Sequence, residues 1–190
     1  MELQQLTEQI GANSAIDKIA VPASNAVTKA IPAGPVKDAL SGAWLGHPAH
    51  PLLTDVTIGA FTSAVLLDLV GGKKGHAAAK TLIRIGILSA LPTAATGASD
   101  WSETSGKDRR IGAVHAASNT TALAFMIASL RARKRGHGMV GRLLALTGAG
   151  ALGAGGYLGG HLSYARGVGV KKADDHLVTI PDGRLAVPTL

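Results

Sequence analysis

Along the chain, polar stretches alternate with long apolar blocks, and four of these blocks carry few or no charges inside. The first runs from Pro51 to Val70 and stops at Gly71-Gly72-Lys73-Lys74. Pro51 suits a first helical turn, where its missing N–H has no intrahelical partner to lose. Asp55 and Asp68 lie near the two ends of this block. The second block runs from about Ala77 to Ser99, entered through Lys80 and Arg84, and its Pro92 predicts a kink. The third runs from Ile111 to Leu130 without a formal charge and then meets Arg131-Ala132-Arg133-Lys134-Arg135. The fourth runs from Met139 to Tyr164, with no formal charge after Arg142.

A spanning helix needs about 20 apolar residues. Blocks three and four meet this outright. Blocks one and two meet it if their end charges snorkel to the interface. The alternative is a soluble four-helix bundle, which would carry a polar stripe on each helix, and Leu143 to Gly160 carries almost none. The pattern therefore predicts an all-α fold, a four-helix transmembrane bundle over residues 44–166. An amphipathic, interfacial arm over 1–43 precedes it and a short extracytoplasmic tail over 167–190 comes after it.

In the arm, Leu3, Leu6, Ile10, Ile16 and Ile19 recur at roughly helical spacing, and Pro22, Pro32 and Pro35 punctuate the remainder of the arm. Val36, Leu40 and Trp44 share one face of a short helix starting near Pro35, with Trp44 suited to a membrane–water interface. Met1-Glu2-Leu3 lacks the basic and apolar regions that open a signal peptide. In the tail, Asp182-Gly183 invites a small hairpin between His176–Ile180 and Leu185–Val187. No repeat with a period of 20–50 residues is visible.

Composition sharpens the picture. Aromatics are 3% of the chain while glycine reaches 25 residues, which suits helices that approach closely in lipid or leave room for a flat ligand. With no cysteine, this chain excludes disulfides, Cys-ligated zinc, iron–sulfur clusters and Cys nucleophiles. The net charge of +7 collects in two hairpin loops, at Lys73, Lys74, Lys80, Arg84, Arg131, Arg133, Lys134, Arg135 and Arg142. By the positive-inside rule these loops face the cytoplasm and both termini lie outside, in a bacterial cytoplasmic (inner) membrane. The lipid bilayer is thus the first partner. Nucleic acid is not, because no basic face with stacking aromatics and no known motif is present.

Under this topology the outer level gathers His47 and His50 entering the first span, Asp55 about one turn further in, Asp100-Trp101 closing the second, His115 in the third and His161 in the fourth. Histidine in a membrane faces the bundle interior and ligates a metal, relays protons or bonds helices together. Zinc or copper would use His47, His50, Asp55, His115 and His161. Haem b would use axial histidines on facing helices. His115 and His161 are the favoured axial pair, with His50 as substitute, and His47 and Asp55 as supporting partners or a proton path. Arg109 and Arg110, at the outer mouth, would pair with haem propionates. Gly155/Gly159 and Gly156/Gly160 fit either a haem slot or close helix packing. No G-x-S-x-G, H-E-x-x-H or P-loop is present, so an electron-transfer or binding subunit is a better expectation than a stand-alone enzyme.

The stretch Trp44-Leu45-Gly46-His47-Pro48-Ala49-His50-Pro51-Leu52-Leu53-Thr54-Asp55, with Asp100-Trp101, His115 and Gly159-Gly160-His161-Leu162-Ser163-Tyr164, resembles a bacterial family of predicted four-span membrane proteins. The G-H-P-x-H-P element is its most specific part, and the likeness covers about residues 35–170. The resemblance implies no assigned activity. It implies that some members continue into a C-terminal Rieske iron–sulfur domain, hence redox chemistry at the outer face; this chain, lacking cysteine, would need a separate outer-face redox partner.

The expectation is a b-type-cytochrome-like membrane protein passing electrons from a donor such as a quinol to that partner. A zinc, copper or proton-relay site and a cofactor-free scaffold are the alternatives. Oligomeric state is not legible from the sequence.

Overall fold

The computed structural model describes residues 2–169 and the short segments Val178–Thr179 and Leu185–Ala186. Helices α1 (Leu3–Ala12), α2 (Asp17–Ala30) and α3 (Pro35–Ser41) form the arm. Helices α4 (Ala49–Val70), α5 (Gly72–Trp101), α6 (Gly106–Lys134) and α7 (Gly138–Gly160) form the bundle, and a π-helical turn, His161–Ala165, ends it. Val178 pairs with Ala186 and Thr179 with Leu185, antiparallel, as a hairpin requires. The turn at Pro181-Asp182-Gly183, and His176, lie outside the described residues.

Three helices, α4, α5 and α6, are long and apolar enough to cross a membrane. At 22 residues, α4 alone is about 33 Å long. The expectation that the fourth block qualifies outright is not met: α7 has 23 residues but is so rich in glycine that its apolarity is diluted. Its outward face is nonetheless leucine, with Leu143 59% exposed, as Leu88 and Leu91 of α5 are at 68% and 65%. Such an apolar exterior is the reverse of what water would select. Proline did not break the helices: α2 runs through Pro22 and α5 through Pro92.

The bundle is two antiparallel hairpins, α4–α5 and α6–α7, each packed closely along its length. Close packing comes from side chains seated against glycine. Phe61 of α4 lies where a Cβ on Gly86 of α5 would be, 2.5 Å from the ring, and His50 occupies the same position over Gly97. In the second hairpin His115 lies over Gly159, Asn119 over Gly155 and Met126 by Gly148. The first hairpin adds a hydroxyl ladder, with Thr57 Oγ1 3.0 Å from Ser89 Oγ and 2.9 Å from Thr93 Oγ1. Such interhelical bonds hold helices where lipid supplies no hydrophobic drive.

The hairpins repeat one contact pattern. Asp68 and Arg133 are 65 positions apart and form a bidentate ion pair, with Arg133 Nη1 2.9 Å from Asp68 Oδ1. His50 and His115 are also 65 apart, as are Phe61 and Met126. The notch glycines Gly86, Gly97 of α5 and Gly148, Gly159 of α7 match at a constant, slightly shorter interval. Equivalent residues of α4 and α6 thus face each other across a pseudo-twofold axis along the bundle. His50 and His115 meet at one end, Asp68 and Arg133 at the other. Between them lies the core of Phe61, Ala64, Val65, Ala79, Ile83, Ala122, Met126, Ala145 and Leu152.

The apolar pattern places Asp68 at the interface. Instead its side chain is 5% exposed and that of Arg133 6%, and Arg133 Nε also bonds Ser129 Oγ at 3.1 Å, which donates to the Gly141 carbonyl. Two charges this deep need each other, because either alone would be buried unpaired. Replacing Asp68 with Ala should therefore cost about 3–5 kcal/mol in detergent unfolding. The exchange D68R/R133D should recover more than half of that loss, because the two positions are equivalent across the axis. No recovery would contradict the pairing.

Candidate functional site

The histidine end is built from local backbone rules. Gly42 has φ +88°, and a Cβ there would lie 2.6 Å from the Ala49 nitrogen, so the turn from α3 into α4 closes only over glycine. Pro48, extended at φ −56° and ψ 133°, starts α4 at Ala49. This fixes His50 in the first turn, facing α5.

The His50 ring rests on Gly97, with its Nδ1 3.0 Å from the Thr93 carbonyl oxygen and 3.3 Å from Thr96 Oγ1. The His115 ring rests on Gly159, with its Nδ1 2.8 Å from the Gly155 carbonyl oxygen. Each accepting carbonyl lies one helical turn before the notch glycine, so the two units are the same device. A carbonyl can only accept, so Nδ1 carries the proton in both rings and the lone pair is left on Nε2. The ring centroids are 6.5 Å apart and the planes cross at 83°. Among the described residues His50 Nε2 has no hydrogen-bond partner, while Asn119 Nδ2 lies 3.1 Å from His115 Nε2.

The other candidates do not join this pair. His47 is exposed, its Nδ1 3.2 Å from the neighbouring Pro48 carbonyl oxygen, and Asp55 lies on an exposed face of α4. His161, two residues beyond Gly159, makes no hydrogen bond to the His50–His115 pair, and its Nε2 is buried without a protein partner among the described residues. His50, expected as substitute, is therefore the histidine that meets His115. Among the described residues no three His, Asp or Glu side chains gather as a metal ion needs, so the five-ligand zinc or copper set does not assemble.

Arg110 is engaged by the arm: its Nη2 lies 2.6 Å from Asp17 Oδ2 and its Nη1 bonds the Gly11 carbonyl at 2.9 Å. Lys107 bonds Glu8 at 2.9 Å and Lys37 pairs with Glu103 at 2.9 Å. The arm is thus docked over the histidine end rather than lying free. Hydrogen bonds from Lys107 and Arg110 hold the Glu8 and Asp17 carboxyls below the usual carboxylate range. Arg109 is half-buried, with its Nε unpartnered among the described residues, and its backbone carbonyl accepts from the Trp101 indole at 2.9 Å.

Gly97, Gly159, Thr93, Gly155 and Asn119 were not among the sequence candidates as ring supports. The available signal was the equal His-to-His and Asp-to-Arg interval, longer than the repeats sought. With the rings seated in these notches, Gly97→Ala and Gly159→Ala should each destabilise the protein by about 1–3 kcal/mol through overpacking. Gly153→Ala, whose added Cβ meets nothing within 4 Å, should be neutral or stabilising in the same thermal melts. Equal effects at all three positions would contradict the notches.

The profile of a family described as predicted membrane protein, DUF2231, matches residues 46–172, from the Gly46-His47-Pro48 element through both hairpins. No curated protein and no solved structure matches the chain. With both hairpins and the histidine pair inside the matched region, the chain belongs to the DUF2231 family of predicted membrane proteins.

Proposed function

We propose that the protein is a four-span, b-type-cytochrome-like electron carrier of a bacterial inner membrane, with haem held between its two hairpins by His50 and His115. In this reading α7 is the fourth span, the basic end faces the cytoplasm, and the histidine end and both termini lie outside. The observation that carries it is the pair of equivalent histidines meeting across the pseudo-twofold axis. His50 and His115, one from each hairpin, have ring centroids 6.5 Å apart and would be the residues that hold the haem iron. Both rings have Nδ1 anchored on a backbone carbonyl, the outer-shell bond that orients a metal-ligating histidine and leaves Nε2 to the metal.

Haem supplies one-electron chemistry when bound. The chain's own residues do the rest: the carbonyls of Thr93 and Gly155 orient the rings, the notch glycines fix their depth, and the apolar core below excludes water. Arg109, with its Nε unpartnered among the described residues, would be the residue left to meet a propionate, since Arg110 is taken by Asp17 and Gly11. Electrons would come from a membrane donor such as a quinol and leave to an outer-face redox protein, in keeping with the Rieske extension that the resemblance implies for relatives. A zinc ion held by two imidazoles would lack half of its four ligands.

One observation favours a second reading, a cofactor-free scaffold. The Asn119 amide within 3.1 Å of His115 Nε2 gives that nitrogen a protein donor of its own. Haem titration of purified variants separates the two. H50A and H115A should each lose the low-spin spectrum, while H47A and H161A keep it. Retention of that spectrum in both H50A and H115A would overturn the axial assignment, and a scaffold predicts no haem uptake by any of them.

A further inference from the structure

The basic end of the bundle holds a second device, independent of the histidines. A cavity of about 220 Å³ opens between the start of α5 and the α6–α7 turn, lined by His76, Ala77, Lys80, Arg133, Gly138 and Arg142. The acid beside it is Asp68, and both of its carboxylate oxygens are taken by Arg133. That pair is neutral as a unit. His76 lies 3.5 Å from the same carboxylate. Lys80 and Arg142, both half-buried in the wall, have no ion-pair partner among the described residues. Two half-buried cations share a concave wall without a counter-ion among the described residues, an arrangement that an anion would complete.

Charge sign alone is accounted for by membrane orientation, which needs basic residues near the span ends but no cavity. The concavity is the added fact. It offers room for one tetrahedral oxyanion with a few waters, each water taking about 30 Å³. It is too small for a nucleotide, and its charged groups are Lys80, Arg133 and Arg142. Arg142 presents a planar fork that can take two oxygens of such a group, and Lys80 a point charge. Basic pockets between spans on the cytoplasmic side are positioned to meet phospholipid headgroups.

We propose that this cavity binds a phosphate group, clamped between Lys80 of α5 and Arg142 of α7. Its source is either the headgroup of an anionic phospholipid or free inorganic phosphate. Only the leaflet in which a lipid would sit rests on the cytoplasmic orientation of the basic end; the site does not depend on haem.

The test compares the full-length wild type with K80Q/R142Q and with K134Q/R135Q, which removes the same charge from the neighbouring turn outside the cavity. Each is melted in neutral-lipid bicelles, in bicelles containing phosphatidylglycerol, and in neutral bicelles with added inorganic phosphate. The expected result is a rise in Tm for the wild type and K134Q/R135Q with phosphatidylglycerol or phosphate, reduced at least tenfold in apparent affinity in K80Q/R142Q. A response to phosphatidylglycerol alone assigns the lipid as source, and an equal response to phosphate assigns the free ion. A circular dichroism spectrum like that of the wild type shows that K80Q/R142Q is folded. No Tm response in the wild type, or equal losses in both double variants, would overturn the proposal by reducing the effect to diffuse surface charge.

Discussion

Each hairpin is held shut by a ring or long side chain lying directly on a glycine of the opposite helix. In lipid, apolar surface gains nothing by leaving its solvent, so helices associate through close packing and a few polar bonds. Phe61 on Gly86, His50 on Gly97 and His115 on Gly159 supply that closeness, and a Cβ at any of these glycines would sit inside the ring's van der Waals surface. The same contacts set register, since His50 and Phe61 are as far apart on α4 as their glycines are on α5. Everything at the histidine end depends on this: a slip of one residue would part each imidazole from the carbonyl it bonds.

Symmetry then decides which residues meet. Because both hairpins use one pattern, equivalent positions of α4 and α6 face each other near the axis. Two histidines face each other at one end, and at the other the equivalent positions are Asp68 and Arg133. Two like imidazoles are stable neighbours only while neutral or while sharing a ligand. An acid and a base are stable neighbours only as a pair. The Asp68–Arg133 ion pair also locks the hairpins together at the basic end. The arm closes that end through Glu8–Lys107 and Asp17–Arg110.

Much of this was legible in the sequence. The four helices follow from the apolar blocks, and the start of α4 from the glycines and prolines around His47. The histidine level follows from His50 and His115 lying near the same ends of consecutive hairpins. Three things were not legible. Glycine in α7 reads equally as a ligand slot or a packing notch, and only the ring above Gly159 decides. Asp68 reads as an end charge until Arg133 is seen against it, a contact between helices that no local pattern encodes. His161 ranked above His50 because it lies within a helix by pattern, but it falls in the π-helical turn that ends α7, while His50 sits in the first turn of α4 over Gly97.

We propose that the histidine pair holds haem. The most direct measurement is a reduced-minus-oxidised visible spectrum of the protein extracted from membranes of cells supplied with haem precursor, with iron content determined on the same sample. The account predicts a Soret band with sharp α and β bands on reduction and close to one haem per chain. A folded, monodisperse protein with no Soret band and no iron would contradict it and leave the two imidazoles as the bonds that hold their hairpins together.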